Sequence, residues 1–118
     1  MTRWTLPHAL ESARTARELV AAALADSPLR DNAVLVASEL VANAVDHGEA
    51  PVVLEVRYTG SQAWIGVENS GTGAPQPREG VGDAARGRGL AIVERLAADW
   101  GWSSTDSTVH VWAVVTSP

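Results

Sequence analysis

Ser38-Glu39-Leu40-Val41-Ala42-Asn43-Ala44-Val45-Asp46-His47-Gly48 is built mostly from Ala, Val and Leu, and its strongly polar members recur three and four residues apart. That spacing is helical. With Glu39 at zero on a wheel of about 100° per residue, Asn43 falls near about 40°, Asp46 near about −20° and His47 near about 80°. Asn32, further back, falls at about 20° on the same step. The helix predicted over about Leu29 to His47 therefore carries one narrow polar stripe on an otherwise apolar cylinder. A solvent face usually mixes long side chains of both signs, yet no Arg lies between Arg30 and Arg57, and the charges from Asp31 to Glu49 are all acidic. A helix that is apolar on most sides is buried on most sides. Glu39 and Asn43 then point into a partly enclosed space. A carboxylate and an amide oxygen one turn apart suit a hard cation such as Mg²⁺, which takes oxygen ligands; Glu39 alternatively suits a base that accepts a proton from a nucleophile. Gly48 followed by Pro51 reads as a conventional helix stop, and His47 as a group hydrogen-bonding at the helix end.

Upstream, Ala9, Ala13, Ala16, Val20 and Ala23 recur at helical steps and predict a first helix from about Pro7 to Ala25, stopped by Asp26-Ser27-Pro28. Downstream the period changes to two. Val52, Leu54, Val56 and Tyr58 alternate with Val53, Glu55 and Arg57; after a Thr59-Gly60-Ser61-Gln62 turn, Ala63, Ile65 and Val67 alternate with Trp64, Gly66 and Glu68. The two runs predict an antiparallel hairpin. Residues 70–89 hold six of the ten glycines and no apolar periodicity, which predicts a long mobile loop, of a kind that in small domains is functional or disordered. Leu90 to Trp100 reads as a third helix, Val109 to Val115 as a last strand, and Gly101 to Ser104 as a shorter strand. The order predicts a single α/β (α+β) domain over 1–118, a two-layer sandwich with three helices on one face of a mixed, mostly antiparallel sheet.

Composition narrows the chemistry. The chain has 118 residues, 46% hydrophobic and 19% charged, enough for one modest core. All nine cationic side chains are Arg, so no Lys nucleophile, Schiff base or phosphate-loop Lys is available. With no Cys there is no disulfide and no Cys-ligated zinc; His8 and His110 show no metal-ligand spacing. A net charge of −5 argues against a general nucleic-acid binder. No apolar run reaches the ~20 residues that a membrane span needs, and the N-terminus lacks an apolar signal core. The expectation is a cytoplasmic protein acting on neither membrane nor nucleic acid.

Two glycine segments flank the loop. Asn69-Ser70-Gly71-Thr72-Gly73 follows the second hairpin strand, and Asn69 continues the Ile65/Val67 side, so its amide is expected to point inward, where it needs partners. A purine edge would supply them, although Asn-Ser-Gly is also ordinary turn chemistry. Gly87-Arg88-Gly89-Leu90 is expected to open the third helix, whose free N–H groups and positive dipole end suit phosphate; the plain alternative is a hinge.

In this order, Glu39-x-x-x-Asn43-x-x-Asp46-His47, Asn69-x-Gly71-x-Gly73 and Gly87-x-Gly89-Leu90 resemble the three boxes of the GHKL ATPase superfamily. The resemblance spans nearly the whole chain and is greatest to the small single-domain branch related to bacterial anti-sigma-factor serine/threonine kinases. It implies a Bergerat fold that binds ATP with Mg²⁺ beneath a lid at about 70–88. On that resemblance Asn43 ligates the Mg²⁺ and Glu39 is the catalytic base toward a hydroxyl or water. Asn69, Gly71 and Gly73 form the base-side box, Gly87, Arg88, Gly89 and Leu90 admit the phosphates, and Thr108 helps hold the base. The implied partners are a sigma factor and an anti-anti-sigma-type protein, with a homodimer as a further expectation.

The chain departs from the pattern at Asn69, where the family has Asp, and at Asp106-Ser107-Thr108, which lacks a basic residue often found there. Replacing a carboxylate by an amide removes a charge-assisted hydrogen bond, roughly twice as strong as a neutral one. Weakened adenine binding or altered base preference is expected. Two readings therefore stand: the kinase, and a nucleotide-weak partner-binding module on the same fold. A detached histidine-kinase catalytic domain is less favoured, since no dimerisation helix precedes the fold in this sequence.

Overall fold

The computed structural model describes residues 1–71 and 84–117, with the backbone alone for 84–89. Its elements run β1 (Thr2–Leu6), α1 (Ser12–Ala23), α2 (Arg30–His47), β2 (Glu49–Tyr58), β3 (Gln62–Ser70), α3 (Ala84–Leu96), β4 (Asp99–Ser104) and β5 (Thr108–Thr116). The strands form one sheet in the order β1-β2-β3-β5-β4, and every pairing is antiparallel. The expected sandwich is present, with an antiparallel rather than a mixed sheet.

Strand alternation builds the core. Val52, Leu54 and Val56 of β2, Ala63, Ile65, Val67 and Asn69 of β3, and Val109, Val111, Ala113 and Val115 of β5 are all buried. The register sets them in rows across the sheet, Ile65 between Val56 and Ala113, and Val67 between Leu54 and Val111. Against this face lies α2, buried at Ala33, Val36, Ala37, Leu40, Val41 and Ala44, a spacing that covers more than one helical stripe. It packs between α1 and α3 and over β2, β3 and β5. Each fully buried Val or Leu contributes ~1.5–3 kcal/mol, so the middle helix is held chiefly by packing. Ser38, buried on the α1 side, accepts a hydrogen bond from Arg17 Nη1 at 2.9 Å.

Four boundaries differ from the sequence reading. β1 was not expected; of its five residues only Leu6 is buried, too short a run for alternation to register. The first helix starts at Ser12 rather than near Pro7, because Ala9 N–H and the Ser12 hydroxyl both turn back to the Pro7 carbonyl. The third helix starts at Ala84 rather than Leu90: Ala84-Ala85-Arg86 are strong helix formers, and an interior Gly costs only about 1 kcal/mol against Ala. It ends at Leu96, not Trp100, since Ala98 N–H bonds to the Val114 carbonyl at 2.8 Å and draws the chain into β4.

The other face of the sheet carries two tryptophans laid over glycines. A Cβ on Gly66 would stand 2.3 Å from the Trp64 ring, and one on Gly101 would stand 2.8 Å from the Trp112 ring. Trp64 also stacks on His110 at 5.7 Å and lies 4.6 Å under the Arg57 guanidinium. Gly66→Ala must push the Trp64 ring off both neighbours. The expected cost is about 1–2 kcal/mol, read as a lower denaturant midpoint with an unchanged slope; an unchanged midpoint would show that the ring moves freely.

Candidate functional site

The polar stripe of α2 is half-buried at every position but His47. Glu39, Asn43 and Asp46 are half-buried, as is Asn32, while the exposed positions of the helix include Asp31, Leu35 and His47. Asp46 and His47 are both engaged in interactions of their own. Asn43 stands out: its Nδ2 is buried and has no hydrogen-bond partner. A buried N–H group left unpaired costs about 1–3 kcal/mol, and native structures keep few of them. An acceptor brought by a ligand would relieve that cost.

At the end of β3, Asn69 is the polar member of an otherwise apolar row, with Val52 on one side and Val109 on the other. It is only 6% exposed, so the inward direction expected from alternation holds. Its Nδ2 donates to the Ser70 carbonyl at 2.7 Å. The chain then turns at Gly71, where φ is +124°, a region open to Gly and strained for other residues. Gly71 N–H donates to the Ser107 carbonyl at 2.9 Å, tying this turn to the one before β5.

Gly48 joins the two halves of the site. Its φ of −113° and ψ of −169° are extended, so the residue does not end the helix through a left-handed cap. Space is what requires glycine here. A Cβ on Gly48 would sit 1.9 Å from Asn69 Nδ2, 2.4 Å from Asn69 Cγ and 2.9 Å from the Ala44 carbonyl oxygen. The C-terminal end of α2, whose last turn carries Asp46 and follows Asn43, is thereby held close to the Asn69 amide. From the other side, His8 Nε2 is 2.8 Å from the Gly48 carbonyl oxygen. Neither Gly48 nor His8 was singled out from sequence as part of a site; "helix, then Gly" reads the same whether the glycine serves torsion or space.

The remaining candidates divide. Thr108 is one register position from Asn69, opposite Ser70, and its Oγ1 is 2.8 Å from Thr105 Oγ1; strand alternation places it on the sheet face opposite Asn69. Gly87 closes the first turn of α3, and Gly89 and Leu90 follow within the helix, so they do not stand at its start. Leu90 is buried. Gly73, the Arg88 side chain and most of the 70–88 lid lie outside the described residues. Among the described residues no cluster of three or more His, Asp or Glu side chains could hold a metal ion. A Mg²⁺ here would rely on Asn43, on waters and on phosphate oxygens, the ligand set this ion commonly takes.

The family model for the histidine kinase-like ATPase domain matches residues 5–115. The chain belongs to that family. It is thus an ATP-binding regulatory domain of the ATPase and kinase-like type, within the GHKL superfamily. Membership implies ATP, usually with Mg²⁺. Curated proteins give no match to the chain. No helix among the described residues is long and apolar enough to cross a membrane.

The residues present fit a phosphate-bearing ligand: the unpaired Nδ2–H of Asn43 suits a phosphate oxygen, its Oδ1 is the atom that could face Mg²⁺, and a half-buried carboxylate stands one turn before it. Asn43→Ala removes the unpaired donor, so stability without ligand is expected to stay within ~1 kcal/mol of the native chain or to rise. Mg·ATP affinity should fall by about tenfold or more, with its metal dependence lost. Thermal melts with and without Mg·ATP check both; a large loss of ligand-free stability would make Asn43 a packing residue.

Proposed function

We propose that the chain is a cytoplasmic, ATP-dependent serine/threonine protein kinase of the anti-sigma-factor type. In this reading it binds a sigma factor and phosphorylates an anti-anti-sigma-type protein, and it pairs with a second copy of itself. The observation that carries the reading is the half-buried Glu39 one turn before Asn43 and its unpartnered buried amide. Bound Mg·ATP supplies the transferable phosphoryl group. Glu39 would accept the proton of the attacking hydroxyl, Asn43 would hold the metal, Asn69 would orient the base, and the first turn of α3, closed by Gly87 with Arg88 and Gly89 just behind it, would face the phosphates. Phosphoryl transfer asks a protein mostly for positioning and charge neutralisation, which a scaffold of 118 residues can provide.

A second reading, a nucleotide-weak partner-binding module, is favoured by one observation, the amide of Asn69 where the family carries a carboxylate. Calorimetric titration with Mg·ATP, followed by transfer of labelled phosphate to an anti-anti-sigma-type protein, separates the two. Binding with transfer to a serine or threonine is the expected result. Binding of the protein partner with no heat from Mg·ATP would replace the kinase by the module.

A further inference from the structure

We infer that Thr105, in the exposed turn between β4 and β5, is a positioning residue: its hydroxyl anchors a head-to-tail chain of hydrogen bonds that runs through two peptide planes to the buried Asn69 amide. The inference rests on the nucleotide reading above for its effect on ATP, but not for its geometry.

From the buried end, Asn69 Nδ2 donates to the Ser70 carbonyl at 2.7 Å. The N–H of that same peptide belongs to Gly71 and donates to the Ser107 carbonyl at 2.9 Å. The N–H of the next peptide in the chain of bonds belongs to Thr108 and donates to Thr105 Oγ1 at 3.0 Å. Both peptides are trans, and a trans peptide is planar and stiff, so a tilt imposed on its N–H is passed to its C=O. All the links run in one direction, donor to acceptor, the arrangement in which successive bonds polarise and strengthen one another.

Thr105 is suited to end the chain. A hydroxyl has two lone pairs and one proton. Here the lone pairs are taken by the Thr108 N–H and by the Ser107 N–H at 3.3 Å, so the 2.8 Å contact with Thr108 Oγ1 is made with the Thr105 proton. The Thr105 backbone N–H closes the turn on the Thr108 carbonyl at 2.9 Å. What takes this beyond turn closure is the Ser107 carbonyl, which serves Gly71, a residue of the other hairpin, at the positive-φ bend that follows Asn69. Without the Thr105 acceptor the Thr108 N–H turns to water, the Ser107 carbonyl is free to tilt, and the Ser70–Gly71 peptide loses its outer support. The Asn69 amide, which donates to that peptide, then loses its fixed orientation.

The test compares the full chain with Thr105→Val, which keeps the shape and removes the hydroxyl, and with Thr105→Ser, which keeps the hydroxyl. In ligand-free protein, Thr105→Val should raise amide exchange at Gly71 by about threefold to tenfold. It should also shift the Asn69 NH₂ signals in a ¹⁵N-correlation spectrum while those of Asn32 stay in place; Thr105→Ser should return both to native. Thr59→Val is the control for a lost turn hydroxyl, because Thr59 Oγ1 donates to the Gln62 carbonyl at 3.4 Å in the turn at the opposite end of β3; it should leave Asn69 and Gly71 unmoved. By calorimetry, Mg·ATP affinity should fall by about threefold to tenfold in Thr105→Val and recover in Thr105→Ser. Native exchange at Gly71 with an unshifted Asn69 in Thr105→Val would overturn the inference, and so would a Thr105→Ser variant that behaves like Thr105→Val. A native chain that binds Mg·ATP and a Thr105→Val variant that binds it equally well would reduce Thr105 to a turn residue and overturn it too. If the native chain bound no Mg·ATP, the nucleotide reading would fall, and the Gly71 and Asn69 signals would still decide whether Thr105 holds the amide.

Discussion

Glu39→Ala is expected to lower phosphoryl transfer by about 10²–10⁴-fold, the usual contribution of a positioned general base, while leaving Mg·ATP affinity within a few-fold of native. The separation follows from where the side chain sits. Glu39 lies in the middle of α2, one turn before Asn43, and is half-buried. Its neighbours along the helix, Ser38 and Leu40, are buried and hold the backbone in place whatever occupies position 39. The substitution therefore removes a proton acceptor without opening the core, and Ala is the best helix former. Single-turnover transfer from labelled ATP to the protein substrate reads the rate, and calorimetry reads the affinity. Transfer that survives Glu39→Ala would move the base elsewhere. Affinity that collapses with it would make Glu39 a binding group.

Gly48→Ala is the second large effect. A Cβ at 1.9 Å from Asn69 Nδ2 cannot be absorbed by a small shift. Either Asn69 leaves its place beside the Ser70 carbonyl or the α2–β2 corner moves away from β3. Overpacking of this kind costs about 1–3 kcal/mol, and here it falls on the amide proposed to orient the base. Loss of nucleotide affinity by tenfold or more should accompany the drop in stability. Gly60→Ala is the control. Gly60 has φ +92° with nothing near its Cβ position, so its Ala variant carries torsional strain of about 1 kcal/mol far from Asn69 in the hairpin turn. Equal loss of stability but unequal loss of ATP binding in the two variants would assign Gly48 its role. Equal loss of both would reduce Gly48 to a fold residue.

What could be read from sequence was whatever has a period. The all-round apolarity of α2, the alternation through β2 and β3, and the Val109–Val115 run each repeat often enough to announce an element and its buried face. Asn69 was legible for the same reason: it extends the Ile65/Val67 side by one step, and the structure buries it beside Val52 and Val109. Contacts made by single residues were not legible. β1 buries one side chain, so it leaves no pattern. The start of α3 was hidden because Gly87 and Gly89 read as a break, while in the folded chain they are carried inside a helix begun by Ala84 and Ala85. Gly48 was recognised as a stop and not as a spacer, since the clash that forbids a side chain comes from β3, 21 positions further along the chain.

Nucleotide binding at this site requires the Asn43 amide to receive a partner. The chain has only three Asn and two Gln, so its side-chain NH₂ signals are few and can be assigned by substitution. A ¹⁵N-correlation spectrum recorded during titration with Mg·ATP should move the Asn43 and Asn69 NH₂ signals together, with Asn43 showing new protection from exchange and Asn32 staying put. Saturating Mg·ATP that leaves the Asn43 signal unshifted would contradict it.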